Sequence, residues 1–147
     1  MTFRSIVIGT DGSDTASQAL GQAIELAAPL DATLHVVSAY APVKAARLHA
    51  EAKQAPEDWQ WAINPQEDVE ATLRAAADAA GAAGVEACTH ARPGDPADAI
   101  IGVAEEQNAD LIIVGNKGMT GVKRIMGSVP NKVSHHAPCS VLIVRTT

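Results

Sequence analysis

The sequence contains only two cysteines and no long hydrophobic run. Cys88 and Cys139 lie far apart without a Cys-x-x-Cys motif, which excludes a disulfide scaffold, a thioredoxin-like site and a structural zinc site. The apolar runs at residues 5–8 and 111–114 fall far short of the ~20 residues that a membrane-spanning helix needs. Asp11 and Asp14 follow the first run too closely for a signal peptide. We therefore expect a cytoplasmic protein with no membrane partner.

Basic residues are also scarce. The 147-residue chain has 11 Lys+Arg against 17 Asp+Glu, a net charge of −6 at pH 7, and no block of basic residues. Nucleic acid is therefore not an expected partner, because binding along a phosphate backbone needs a cluster of basic side chains. With 47% hydrophobic and 19% charged residues, the composition is that of a folded chain. Residues 1–147 are predicted to form a single domain, since domains cluster near ~100–150 residues.

Short β-branched runs alternate with longer alanine-rich segments. They predict strands at residues 5–9, 33–40, 85–91, 110–115 and 140–145, and helices at about 14–28, 68–84, 96–108 and 129–136. Strands that alternate with helices indicate an α/β fold, a doubly wound five-stranded parallel sheet with helices on both faces. Residues 41–66 contain three prolines and both tryptophans. This stretch is long for a crossover and is expected to form a mobile flap or a partly helical excursion, to which the sequence assigns no role.

Two glycine-containing loops follow the first and fourth predicted strands, at residues 9–13 and 115–121. Ligands of doubly wound sheets bind at the carboxyl ends of strands where the strand order reverses. If strands 1 and 4 are neighbours, the two loops face each other across one crevice. The second loop leads to a helix start at Gly127 and Ser128, where N–H groups attract anions. We expect a phosphate or small-anion crevice with Asp11 on its far wall, although Asp11 can also form a turn and Ser128 can cap the helix.

Common catalytic motifs are missing from the sequence. It contains no P-loop, no Gly-x-Gly-x-x-Gly after the first strand and no Gly-x-Ser-x-Gly nucleophile elbow. His135 and His136 are adjacent on a predicted helix and point about 100° apart, which favours a helix end over a metal site. We expect no catalytic residue and no metal ligand, and we do not expect an enzyme.

The chain resembles the universal stress protein family along nearly its whole length. The resemblance lies in Gly-Thr-Asp-Gly-Ser at 9–13, Leu-His-Val-Val at 34–37, Ala-Asp-Leu-Ile-Ile-Val-Gly at 109–115 and Pro-Cys-Ser-Val-Leu-Ile-Val at 138–144. Its most specific part is Gly115-x-x-Gly118 followed by Gly127-Ser128-Val129. This part is similar to the Gly-x-x-Gly, nine residues, Gly-Ser/Thr motif of the ATP-binding branch. Here the spacer has eight residues, 119–126.

The resemblance implies the strand order 3-2-1-4-5 and an ATP site at the crevice. On the adenosine side it assigns Thr10 and Asp11, together with Val36, which is expected to contact the adenine at the end of strand 2. These assignments follow from the resemblance and not from the spacing of the residues.

On the phosphate side, the resemblance assigns Gly115 and Gly118 to the wall around the ribose and phosphates. Gly127, Ser128 and Val129 are assigned to the phosphates, through their amides and the Ser128 hydroxyl. Mg²⁺ is expected to arrive with the nucleotide rather than at an all-protein site.

The resemblance also implies a homodimer. In the implied strand order, Val141 to Val144 form an apolar edge strand, and such an edge needs a partner or a cover. A second copy pairing with this strand meets that need. Three functions stay open: an ATP-binding regulatory module of the stress response, a cyclic-AMP-binding protein, and a dimeric interaction protein that binds no nucleotide.

Overall fold

Five parallel strands form one sheet in the computed structural model, which describes residues 3–40, 66–116 and 129–146. The strand order is β3-β2-β1-β4-β5, as the resemblance implied. In chain order, the elements are β1 (Ser5–Gly9), α1 (Asp14–Leu30), β2 (Thr33–Tyr40), α2 (Gln66–Ala82), β3 (Ala87–Pro93), α3 (Pro96–Glu106), β4 (Leu111–Gly115), α4 (Val129–His136) and β5 (Ser140–Val144).

The helices cover both faces of the sheet, which confirms the predicted fold class. Ile6 and Ile8 of β1 point to the face covered by α1 and α2, whereas Val7 points to the face covered by α3 and α4. All three side chains are fully buried. Burial on both faces explains why this strand is apolar at successive positions instead of alternating.

Local signals set the starts of two helices as predicted. The Ser13 hydroxyl accepts a hydrogen bond from the Ala16 N–H at 3.2 Å and caps α1. The Asp95 carboxylate accepts one from the Asp98 N–H at 3.0 Å and caps α3, with Pro96 in its first turn. Both caps satisfy N–H groups that have no partner inside the helix.

The predicted boundaries of β3 and α2 were wrong by two residues. The strand begins at Ala87 rather than at residue 85, because the Val85 N–H donates to the Ala80 carbonyl at 2.9 Å and belongs to the turn that ends α2. Gly84 allows this turn with a φ of +76°. Helix α2 begins at Gln66, within the predicted 41–66 excursion. The rest of that excursion lies outside the described residues.

In the part of the chain that the structure describes, no helix is long and apolar enough to cross a bilayer.

Candidate functional site

The first and fourth strands end side by side at the carboxyl edge of the sheet. β1 and β4 are parallel neighbours, with Ile8 opposite Ile113. After β1 the chain enters α1 on one face, whereas α4, the next described helix after β4, covers the other face. The strand order therefore reverses between β1 and β4, which is the position at which doubly wound sheets form a ligand crevice.

Hydrogen bonds from β2 fix the main chain of Thr10, the residue after β1. The Thr10 N–H donates to the Val37 carbonyl at 2.9 Å. The Ser38 hydroxyl donates to the Thr10 carbonyl at 2.7 Å. Thr10 and Ser38 are both buried, so these bonds are shielded from water. They hold the start of the β1 loop against its neighbouring strand.

Asp11 forms the turn that leads into α1. One of its carboxylate oxygens, Oδ1, accepts a hydrogen bond from the Ser13 N–H at 2.9 Å, and its side chain is half-buried. Gly12 follows with a φ of +81°, and a Cβ there would lie 2.9 Å from the Thr72 hydroxyl oxygen. The turn thus needs glycine at position 12 for both backbone angle and space. The Asp11 carboxylate is thereby held in the turn between β1 and α1.

The C-terminal residues of the described chain hold the exit of β4. The Asn116 N–H donates to the Val144 carbonyl at 2.9 Å. The Asn116 side-chain oxygen accepts hydrogen bonds from the Thr146 N–H at 2.8 Å and from the Thr146 hydroxyl at 3.2 Å. A Cβ at Gly115 would meet this hydroxyl at 3.4 Å and the Ala19 Cβ at 3.8 Å. A side chain at position 115 would therefore contact Thr146 and Ala19.

The other predicted nucleotide residues are more widely placed. Val36 was expected at the end of β2, and this position is wrong: it is fourth of eight strand residues, lies opposite Ile8 and is fully buried. The strand continues to Tyr40 because it pairs with β3 over that length. Val129 is half-buried at the first position of α4. Gly118, Gly127 and Ser128 lie outside the described residues.

A groove between α1 and α2 opens beside Thr10 and Gly12. It has a volume of about 480 Å³. Most of its lining side chains are small or apolar, among them Leu20, Ile24 and Ala76. It gives the β1 side of the crevice an apolar neighbour.

A histidine pair lies away from the crevice, between β2 and β3, and the sequence did not predict it. The His35 Nδ1 and the His90 Nε2 are 3.0 Å apart and share a hydrogen bond. Burial lowers the pKa of His35, against a smaller opposing effect of Glu86. Burial also lowers the pKa of His90, with His35 and Arg92 acting in the same direction. Within residues 3–40, 66–116 and 129–146, no group of three or more His, Cys, Asp or Glu side chains could hold a metal ion.

Comparisons with known proteins match the whole chain. The universal stress protein family model matches residues 2–145. Universal stress protein Rv1636 of Mycobacterium tuberculosis is 37% identical over 150 residues, covering 99% of this chain and 98% of that protein. Universal stress protein YxiE of Bacillus subtilis is 36% identical over 148 residues, covering 97% and 99%. A crystal structure of a universal stress protein in complex with cAMP matches with a TM-score of 0.78 and 33% identity, covering 100% of both chains.

Proposed function

Because the chain belongs to the universal stress protein family, we propose that it binds an adenine nucleotide at the crevice between β1 and β4. In this proposal the protein acts through nucleotide binding as a regulatory module of the cytoplasmic stress response, and residues 1–147 form one nucleotide-binding domain. The observation that supports this proposal most directly is the meeting of the Thr10–Asp11 turn and the Gly115–Asn116 exit where the strand order reverses.

The two sides of the crevice suit the two ends of a nucleotide. In this proposal Thr10 and Asp11 are on the adenosine side, and Thr10 also lines the apolar groove between α1 and α2. Asp11 has carboxylate oxygens that can accept hydrogen bonds from a ribose. In this proposal the phosphates lie toward the start of α4, where the amide N–H groups of Gly127, Ser128 and Val129 would donate hydrogen bonds to them.

ATP with Mg²⁺ is the first candidate ligand, because the Gly115-x-x-Gly118 segment resembles the motif of the ATP-binding branch. Cyclic AMP is the second candidate. One observation favours it: a universal stress protein 33% identical to this chain was crystallised with cAMP. Cyclic AMP has a single phosphate, so it needs fewer phosphate contacts from a glycine loop that is one residue shorter than the ATP motif.

We propose a binding role and not an enzymatic one. Among residues 9–13 and 115–116, Asp11 has the only ionisable side chain. Its Oδ1 already accepts the Ser13 N–H in the turn before α1. General acid–base catalysis of phosphate hydrolysis requires a positioned base and a way to deliver the proton. The one carboxylate at these two strand exits is already hydrogen-bonded in a turn, which favours nucleotide binding over nucleotide hydrolysis.

Isothermal titration of nucleotide-stripped protein tests the proposal. ATP with Mg²⁺ and cAMP are titrated in parallel into the wild type, Gly118→Val and Gly81→Val. Gly81 is a matched control because it is exposed in α2 and a Cβ there meets no atom within 4 Å. We expect Gly118→Val to lose binding and Gly81→Val to keep it. Normal nucleotide affinity in Gly118→Val would refute the site, and silence of the wild type with both ligands would leave the nucleotide-free interaction protein.

We further propose a homodimer through β5. This strand is at the sheet edge and pairs only with β4 among the described strands. Leu142 and Ile143 are 42% and 37% exposed, the two large hydrophobic side chains most open to solvent in the described residues. An apolar edge of this kind favours pairing with a second copy.

Sedimentation velocity tests the dimer with Ile143→Lys, which adds a charge to the edge. Ala83→Lys adds the same charge at an exposed residue after α2 and serves as control. We expect a monomer for Ile143→Lys and a dimer for the control and the wild type. A dimer that survives Ile143→Lys at every concentration would place the interface elsewhere.

A further inference from the structure

We infer that Asn116 and Thr146 together position the exit of β4 for nucleotide binding, so that the C-terminal residues after β5 form part of the binding machinery. This inference rests on the proposed function and adds two residues to it. Neither belongs to the residues that the family resemblance assigns to the nucleotide. Both act by holding main chain in place rather than by contacting the ligand.

Three hydrogen bonds join the two chain segments. One runs from the Asn116 N–H to the Val144 carbonyl at 2.9 Å and continues the β4–β5 pairing one residue past the end of β4. The other two run from the N–H and hydroxyl of Thr146 to the Asn116 side-chain oxygen, at 2.8 and 3.2 Å. The Asn116 side chain therefore fixes its own main chain and the Thr146 main chain relative to each other.

The packing at Gly115 makes this arrangement specific. The Thr146 hydroxyl lies 3.4 Å from the place of a Cβ on Gly115, and the Thr146 methyl carbon lies 3.6 Å from it. Thr146 thus covers the last residue of β4 while it bonds to the next one. Both Asn116 and Thr146 are half-buried, so their hydrogen bonds are partly shielded from water.

A fixed exit favours binding because an ordered loop start loses less conformational entropy when a ligand arrives. Asn116 is the residue from which the chain continues to Gly118. Its neutral amide also suits a place near phosphates, since a carboxylate there would repel them. The Asn116–Thr146 pair therefore affects affinity in two separable ways, through geometry and through charge.

Titration calorimetry of four variants separates these effects, with adenosine, cAMP and ATP plus Mg²⁺ as the ligands. Asn116→Ala removes both bonds to Thr146, and we expect nucleotide affinity to fall about five- to tenfold. Asn116→Asp keeps the acceptor oxygen and adds a charge, so its loss of affinity should increase from adenosine to cAMP to ATP. Thr146→Val removes only the hydroxyl bond and should have the smaller effect. Thr146→Ser keeps both bonds and should bind like the wild type.

Asp110→Ala is the matched control. The Asp110 carboxylate accepts hydrogen bonds from the Arg4 N–H at 3.2 Å and the Ser5 N–H at 3.0 Å. It thereby joins two chain segments at the opposite edge of the sheet. We expect this variant to lose thermal stability and to keep its nucleotide affinity.

The outcomes distinguish the inference from the proposed function. A wild type that binds no nucleotide refutes the proposed function, and the inference with it. A wild type that binds while Asn116→Ala binds within twofold of it overturns the inference alone. Equal losses of affinity in Asp110→Ala and Asn116→Ala would also overturn it, because general destabilisation would then explain both.

Discussion

Replacing Gly9 by alanine should destabilise the protein through one contact with α3. A Cβ at Gly9 would lie 2.9 Å from the Ile100 Cγ1 and closer still to its Cδ1. The Val37 carbonyl, at 3.9 Å, leaves ordinary space on the other side. Ile100 lies on the core face of α3 and is only 3% exposed, so its side chain cannot rotate into solvent. The Gly9→Ala variant must therefore shift the Ile100 side chain or the helix.

The expected cost follows from this geometry. Adding a methyl group to a well-packed core costs ~1–3 kcal/mol, and we expect about 2 kcal/mol for Gly9→Ala. Ile100→Val removes the Cδ1 and should cost ~1 kcal/mol alone. In the double variant the new methyl occupies space that the Cδ1 has left. The double variant should therefore be more stable than the sum of the single effects predicts, by at least about 1 kcal/mol.

Urea unfolding followed by far-ultraviolet circular dichroism measures the free energy of unfolding of the wild type, the two single variants and the double variant. Gly102→Ala is the matched control, since Gly102 lies in α3 and a Cβ there meets nothing within 4 Å. We expect this control to gain ~0.5–1 kcal/mol, because alanine favours a helix over glycine. Additive effects of Gly9→Ala and Ile100→Val, within ~0.3 kcal/mol, would refute the contact as the cause.

Two further predictions concern the turn after β1 and the histidine pair. Gly12→Ala should lower the free energy of unfolding by ~1–2 kcal/mol, because alanine is strained at a φ of +81°. Adding Thr72→Ala should relieve only the 2.9 Å contact between the new Cβ and the Thr72 hydroxyl oxygen. Full recovery of the free energy of unfolding in the Gly12→Ala/Thr72→Ala double variant would contradict the backbone argument. Burial lowers the pKa values of His35 and His90 below the usual 6.5, so the unfolded chain binds more protons than the folded one at mildly acidic pH. The unfolding free energy should therefore fall as pH decreases below about 6.5. His35→Gln should make this slope shallower, and an unchanged slope in denaturant titrations across that range would exclude the pair as its source.

Local sequence signals predicted the elements well where one short segment determines the outcome. β1, β2 and α4 have their predicted bounds. Short β-branched apolar runs mark the two strands, whereas α4 is a mostly polar segment that ends before Ala137 and Pro138. The start of β3 was wrong because the Val85 N–H is taken by the Ala80 carbonyl. An apolar residue in a helix-ending turn looks like the first residue of a strand until that hydrogen bond is known.

The candidate site was only partly predictable for a related reason. The local turn signal after β1 placed Asp11 at the predicted crevice, whereas Thr10 was assigned only by the family resemblance, and their contact with a nucleotide stays a prediction. The Asn116–Thr146 bonds join residues 30 apart in the sequence, and the His35–His90 bond joins residues 55 apart. These partners depend on the register of neighbouring strands, which no local pattern specifies. The asparagine after a buried strand was the one available signal, and it names no partner.

Each strand that borders the crevice is held by its outer neighbour. Ser38 of β2 bonds to the residue after β1, and Val144 of β5 bonds to the residue after β4. The outer strands therefore set the positions of the chain exits that the proposed ligand would contact. If two copies pair through β5, the strand in the interface is also the strand that holds Asn116. Nucleotide binding and dimerisation would then act on the same short segment, so any effect of the ligand on the dimer must be matched by an equal effect of the dimer on ligand affinity.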